Sequence, residues 1–304
     1  MLKIENLTIC AVVSGKTVTI IDGLFLELAP GSHTALIGES GSGKSMLAMA
    51  ILGLLPENVA VSGEIKFCGT ELCGAKEKVL NEIRGKKIVL VPQGGHDYLN
   101  PSLKIGVQLK ETLKKIGVKT RLEREKKAVQ LIQAVGFDEA DRILESYPYQ
   151  LSGGMAQKVL LSVAIAGDPD LVICDEPTRG VDSDAAKALI KLIKDLMPRA
   201  AILLITHDLN IASMCEKTVI MLEGEVMEVA ENNTFPAQAR SEYAKALLAA
   251  MPRNGLNPIK KLTEQRNNGC GFASYCPKSQ EICFERNAEL KNIESGFLRC
   301  HFYD

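Results

Sequence analysis

The stretch GESGSGKS, Gly38 to Ser45, constrains this 304-residue chain more than any other. Its spacing is G-x-x-x-x-G-K-[ST], with apolar TALI (Thr34 to Ile37) before it and MLAMAILGLL (Met46 to Leu55) after it. That order predicts a strand, a glycine-rich loop and a helix. Glycines let the backbone curl until successive N–H groups converge on one phosphate, at the positive end of the following helix. Gly38, Glu39, Ser40, Gly41, Ser42 and Gly43 would form that cradle. Lys44 would bridge the β- and γ-phosphates and Ser45 would ligate Mg²⁺. The chain reads as an α/β nucleotidase.

Two later segments supply groups such a cradle needs. DLVICDEP (Asp170 to Pro177) is an apolar strand ending in two carboxylates. Asp175 stands where an acid would hold the Mg²⁺ shell, and Glu176 where a general base would polarise the attacking water. LLITHD (Leu203 to Asp208) places His207 at another strand end. Strands ending in acids are common, and a lone histidine is ordinarily a core or surface residue. The preceding phosphate loop gives both a chemical use. Between loop and acids lies LSGGMAQ (Leu151 to Gln157). A serine hydroxyl and backbone amides at a helix start make an anion site that lacks a phosphate of its own.

With that segment the chain resembles the ATP-binding cassette (ABC) family, whose signature is LSGGQ. The motifs run in order: the phosphate loop, Gln93 in LVPQ, the signature, DLVICDEP, GVD (Gly180 to Asp182) and His207. The resemblance covers residues 1 to about 250. It implies a RecA-like P-loop core with an N-terminal antiparallel β subdomain and an α-helical subdomain. It implies that Ser152, Gly153 and Gly154 close over the γ-phosphate of ATP held by a second cassette. Gln93 becomes a Mg²⁺ and water contact that also senses the membrane subunits. Asp182 matches the aspartate after the acidic strand, and His207 a γ-phosphate contact. One departure stands out. The family stacks an aromatic ring on adenine, yet no Phe, Tyr or Trp precedes Phe25, and the usual position falls near Val12 to Val18. Adenine packing must be aliphatic or supplied differently.

Composition narrows the partners. Charged residues are 24% and the net charge is −1, which gives no basic face for nucleic acid. No apolar run approaches the ~18 residues of a membrane span, and AILLIT (Ala201 to Thr206) has the length of a buried strand. MLKIENLTIC lacks the form of a secretory signal, and alternating Leu2, Ile4 and Leu7 predict a first strand. Ala128, Leu131, Ile132 and Val135 predict one apolar helix face, and RLEREKK (Arg121 to Lys127) its solvated side. In the family, residues of about 97–167 form the helical subdomain that receives a coupling helix from the membrane. Tyr98 and Asn100 are candidate contacts there, or plain turn residues.

Three features resemble the dipeptide, oligopeptide and nickel importer group. Met155 and Gln157 give the signature an SGGMxQ form, as in one of that group's two paired ATPases. SEYAKALLAAMP (Ser241 to Pro252) resembles the segment that follows its cassette. Cys270, Cys276, Cys283 and Cys300, spaced C-x5-C-x6-C-x16-C, match its C-terminal extension. Four thiolates can hold zinc or an iron–sulfur cluster, or remain unmetallated. Close C-x2–4-C pairs are absent, and the resemblance points to a 4Fe–4S cluster. His301 reads as a neighbour of that set. Cys10, Cys68, Cys73, Cys174 and Cys215 read as core or surface residues. The expected organisation is a nucleotide-binding domain over residues 1–250 and a cysteine-rich extension over residues 251–304.

The expected role is ATP hydrolysis energising import of peptides, nickel or a metal–chelator complex. The expected partners are a second ATP-binding subunit (a different chain), two transmembrane permeases and an extracytoplasmic substrate-binding protein. The expected location is peripheral, at the cytoplasmic face of the cell membrane. The alternatives are a cassette of another transporter group, or a soluble ABC ATPase acting on DNA or the ribosome. The latter would require a long coiled-coil insertion or two cassettes in one chain.

Overall fold

The structure is a computed structural model that describes residues 1–231, 235–237, 239–251, 257, 259–263, 269–294 and 296–303. Pro252, the last residue of the SEYAKALLAAMP segment, lies outside the described residues. The chain divides into two compact units, Met1–Leu28 with His33–Gly74 and Ile205–Asp304, and Ala29–Ser32 with Ala75–Leu204.

Within the first unit, β1 (Leu2–Val13), β2 (Lys16–Leu28), β4 (Val59–Phe67) and β5 (Thr70–Glu71) form an antiparallel sheet ordered β2-β1-β4-β5. The predicted first strand carries a detail that alternation alone does not give. Leu2, Ile4 and Leu7 are all buried, although Ile4 and Leu7 are an odd number of residues apart. A bulge resolves this: Ile4 pairs with Leu26 but Leu7 with Leu24, three positions on β1 against two on β2. Asn6 takes up the extra residue with φ 49°. Opposite it, Gly63 of β4 has φ +96°, and a Cβ there would lie 2.3 Å from the Asn6 carbonyl oxygen.

The unit's other strands are β3 (His33–Gly38), β9 (Lys217–Leu222), β10 (Glu225–Glu231), β11 (Leu290–Ile293) and β12 (Gly296–Arg299), ordered β11-β12-β10-β9-β3. β3 runs parallel to β9, and the later pairs are antiparallel. The helices are α1 (Lys44–Ile51), α8 (Leu209–Ala212), α9 (Glu242–Ala249) and α10 (Glu281–Glu285). The start of α9 is held twice. Ser241 caps it by accepting from Ala244 N at 3.0 Å, and the buried Glu228 carboxylate of β10 accepts from Ser241 N at 2.7 Å and Arg240 N at 3.0 Å.

Within the second unit, β6 (Ile88–Val91), β7 (Leu171–Asp175) and β8 (Ala201–Ile205, up to the unit boundary) run in the order β8-β7-β6. Leu171 to Cys174 are wholly buried, as a continuous apolar run in a covered parallel strand requires. The helices are α2 (Glu77–Ile83), α3 (Ile105–Lys115), α4 (Arg121–Ala134), α5 (Ala140–Glu145), α6 (Gly153–Ile165) and α7 (Ser183–Leu196). A capping box between Thr120 and Glu123 starts α4. Its apolar side, Ala128 and Ile132, joins Leu109, Leu113, Ile143 and Val159 in one helical core. Arg121, Leu122, Glu123, Lys126 and Lys127 lie exposed, the solvated side that the charge run predicts.

Candidate nucleotide site

The first unit builds the phosphate loop. β3 delivers it at Gly38, where φ is +157° and a Cβ would lie 2.2 Å from the Met221 carbonyl oxygen, so only glycine fits. Lys44 opens α1 and is buried. Its Nζ donates to the Gly38 carbonyl at 2.9 Å, the Glu39 carbonyl at 2.7 Å and Ser42 Oγ at 3.1 Å. Those neutral acceptors hold the ammonium in place, and an incoming phosphate would compete with them as a stronger, charged acceptor. Ser42 is buried, and its N–H closes the loop onto the Glu39 carbonyl at 3.2 Å. Ser40, Gly41 and Ser45 are exposed. The Glu39 N–H donates to Tyr243 Oη of α9 at 3.3 Å. His207 is exposed just ahead of α8, whose start Asp208 caps by accepting from Asn210 N at 2.8 Å.

The second unit carries the acidic and signature residues. Asp175 ends β7 and Glu176 follows with φ 48°, a left-handed conformation uncommon for a side chain of its size. Gln93 is exposed, and its Oε1 accepts from Arg179 Nη1 at 3.3 Å. Ser152 caps α6 by accepting from Met155 N at 3.3 Å. Gly153 and Gly154 are exposed, with nothing within 4 Å of where a Cβ would sit. Asp182 caps α7 through Asp184 N at 3.2 Å and Ala185 N at 3.0 Å. Two supporting contacts escape motif reading. Buried Gln157 donates to the Pro92 carbonyl at 3.4 Å, fixing the backbone beside Gln93, and Arg179 holds the Gln93 side chain.

A family model for the ABC transporter matches residues 21–179, and one for the oligopeptide/dipeptide transporter C-terminal region matches residues 227–283. The oligopeptide transport ATP-binding protein AppD of Bacillus subtilis is 33% identical over 318 residues, which cover 100% of this chain and 97% of that protein. The oligopeptide transport ATP-binding protein OppD of Mycobacterium tuberculosis is 34% identical over 309 residues. That match covers 96% of this chain but 50% of the relative, so the chain spans half of that protein's length. Among solved structures, the dimeric post-hydrolysis state of the ATP-binding cassette MJ0796 bound to ADP and Pi matches with a TM-score of 0.68 at 27% identity. The match covers 76% of this chain and 99% of that one.

The chain belongs to the ABC transporter family. Its fold is the RecA-like nucleotide-binding fold of that family, with an N-terminal β subdomain and an α-helical subdomain. Val12, Val13 and Val18, near the position where the sequence leads one to expect a ring on adenine, are 54%, 55% and 47% exposed. Of the two candidate membrane contacts, Tyr98 is exposed. Asn100 Oδ1 accepts from Ser102 N at 3.0 Å, so turn chemistry accounts for that side chain. Among the described residues no helix is long and apolar enough to cross a membrane.

The extension of this ABC protein brings its four C-terminal cysteines around one cavity. Cys270, Cys276, Cys283 and Cys300 line a space of about 40 Å³ together with Tyr243 and Phe272. None of the four closes a disulfide. Burial pushes the Cys270 thiol up to about 11 and raises that of Cys276. Among the described residues, no group of three or more His, Cys, Asp or Glu converges closely enough to hold a single metal ion. His301 Nε2 pairs with the Arg286 carbonyl at 3.0 Å. β12 of this extension pairs with β10, so backbone hydrogen bonds attach it to the sheet.

Proposed function

We propose that this chain binds and hydrolyses MgATP as the energising subunit of a peptide importer. The phosphate loop carries the reading: its buried Lys44 is held among three oxygens of the loop. Gly38 to Ser45 wrap the β- and γ-phosphates, with Lys44 bridging them. Ser45, Asp175 and Gln93 are the oxygen donors for Mg²⁺, a hard cation suited to hydroxyl, carboxylate and amide ligands. Bound there, the ion neutralises charge on the phosphate oxygens. Glu176 takes the proton of the attacking water and His207 contacts the γ-phosphate. Ser152, Gly153 and Gly154, exposed at the start of α6, face the nucleotide of a second cassette, with Asp182 beside that junction. The exposed valines near the β1–β2 turn supply aliphatic packing for adenine.

The names of the two relatives favour peptide as cargo over nickel or a metal–chelator complex. The complex contains a second, different ATP-binding subunit, two permeases and an extracytoplasmic binding protein, and this chain sits peripherally at the cytoplasmic face. The nucleotide-binding domain spans residues 1–250, with its helical part near 97–167, and the extension spans 251–304. Glu176→Gln should lower ATP hydrolysis by about 10²–10⁴-fold while ATP still binds. An unchanged hydrolysis rate would refute the assignment of the base.

The four cysteines are proposed ligands of a 4Fe–4S cluster. Their placement around one cavity supports this, although no three of these side chains converge on a point that would hold a metal ion. A cluster presents several iron atoms to its thiolates, so its ligands surround a volume. When bound it would fasten the extension and leave phosphate chemistry to the loop. Iron and sulfide should co-purify with the complex under anaerobic conditions. Their absence would overturn the cluster and leave the ATPase reading intact.

A further inference from the structure

We infer that Tyr243 of α9 is a positioning residue for the phosphate loop, through which the cysteine-lined lobe sets the affinity for nucleotide. The inference rests on the nucleotide-binding reading of Gly38 to Ser45. Glu39 is clamped on both sides of its residue: its N–H donates to Tyr243 Oη at 3.3 Å and its carbonyl accepts from Lys44 Nζ at 2.7 Å. To reach a phosphate, Lys44 must give up at least one of its acceptors on the loop. The bond from Glu39 N–H to Tyr243 Oη remains in any case to keep the start of the loop in shape.

The phenol is suited to that task because it cannot move freely. Tyr243 is 1% exposed. Its ring packs on Phe272 at 5.4 Å and 58°, and Phe272 stacks on Tyr275 at 6.0 Å and 19°. Tyr243 and Phe272 both line the cavity of the four cysteines. From the other side, Glu228 and Ser241 fix the start of α9. Burial, with the Glu39 charge adding to it, holds the phenol above its usual range, so it stays neutral. Residues 243 and 272 thus connect the lobe to the loop through one ring pair and one hydrogen bond.

The hydroxyl meets the loop at the backbone of Glu39, a residue assigned no part in attack on the γ-phosphate. Losing it should therefore weaken ATP binding more than turnover. Tyr243→Phe keeps the ring and removes only the acceptor. In the assembled complex, we expect KM for ATP to rise about fivefold, the worth of one ordinary hydrogen bond, with kcat within about twofold. ATP titration of the full chain should show the same shift in Kd. Phe272→Leu, which loosens the ring pair from the lobe side, should raise Kd in the same direction. An unchanged Kd in Tyr243→Phe, or a fall in kcat at unchanged KM, would overturn the role of the hydroxyl. A normal Kd in Phe272→Leu would overturn the link to the lobe. Wild-type protein that fails to bind ATP would instead refute the nucleotide reading.

Discussion

At the residue scale, the phosphate loop depends on what its first position lacks. Gly38 passes 2.2 Å from the Met221 carbonyl oxygen at the point where a Cβ would stand, and 2.8 Å from Ser42 Oγ. Gly38→Ala must push β3 from β9 or distort the loop. We expect loss of ATP binding together with destabilisation of several kcal/mol, about the upper range for one substitution. Nucleotide titration beside a thermal melt would check both. The motif residues were legible in the sequence because loop chemistry is local: spacing alone predicted Lys44 in the cradle. Their supports were not. Arg179 on Gln93, Gln157 on Pro92 and Tyr243 on Glu39 are contacts between distant residues, and an arginine or tyrosine has no spacing that announces such a partner.

At the scale of elements, α9 shows how a buried acid can organise a helix start. Glu228 accepts from two backbone donors, Arg240 N and Ser241 N, that would otherwise be left without that acceptor. Glu228→Ala should cost about 2–3 kcal/mol, and Ser241→Ala about 1 kcal/mol. Urea unfolding of each variant would test the order. Helix α4 was readable from Ala128, Leu131, Ile132 and Val135, since an amphipathic face is written within one segment. The hairpin of β11 and β12 was not readable. Lys291, Asn292 and Glu294 give it the look of a polar loop, and its strand character comes from pairing with β10, some sixty residues earlier. The bulge at Asn6 was hidden likewise, because alternation assumes a period of two.

At the scale of the whole molecule, stability carries a pH dependence from one buried pair. Glu225 and Arg299 lie 3.3 Å apart with 11% and 13% of their side chains exposed. Burial raises the Glu225 pKa and outweighs the lowering by Arg299. An acid whose pKa is raised in the folded state favours folding while protonated and loses that contribution as pH rises through the folded value. Wild-type protein should therefore lose stability relative to Glu225→Gln as pH climbs through the carboxylate range. Melting temperature against pH, measured for both, would show it, and parallel curves would contradict it. The extension that supplies Arg299 has another effect on the chain as a whole. β12 occupies the side of β10 that β9 leaves open. A protein cut before Leu290 would present a bare row of amide and carbonyl groups, the surface through which sheets of separate molecules join. Such a truncated chain should self-associate with rising concentration, visible by light scattering, more than the intact chain, whose outer edge is the short, polar β11. The hairpin would thus serve as a selvedge, finishing the sheet so that it does not knit to its neighbours.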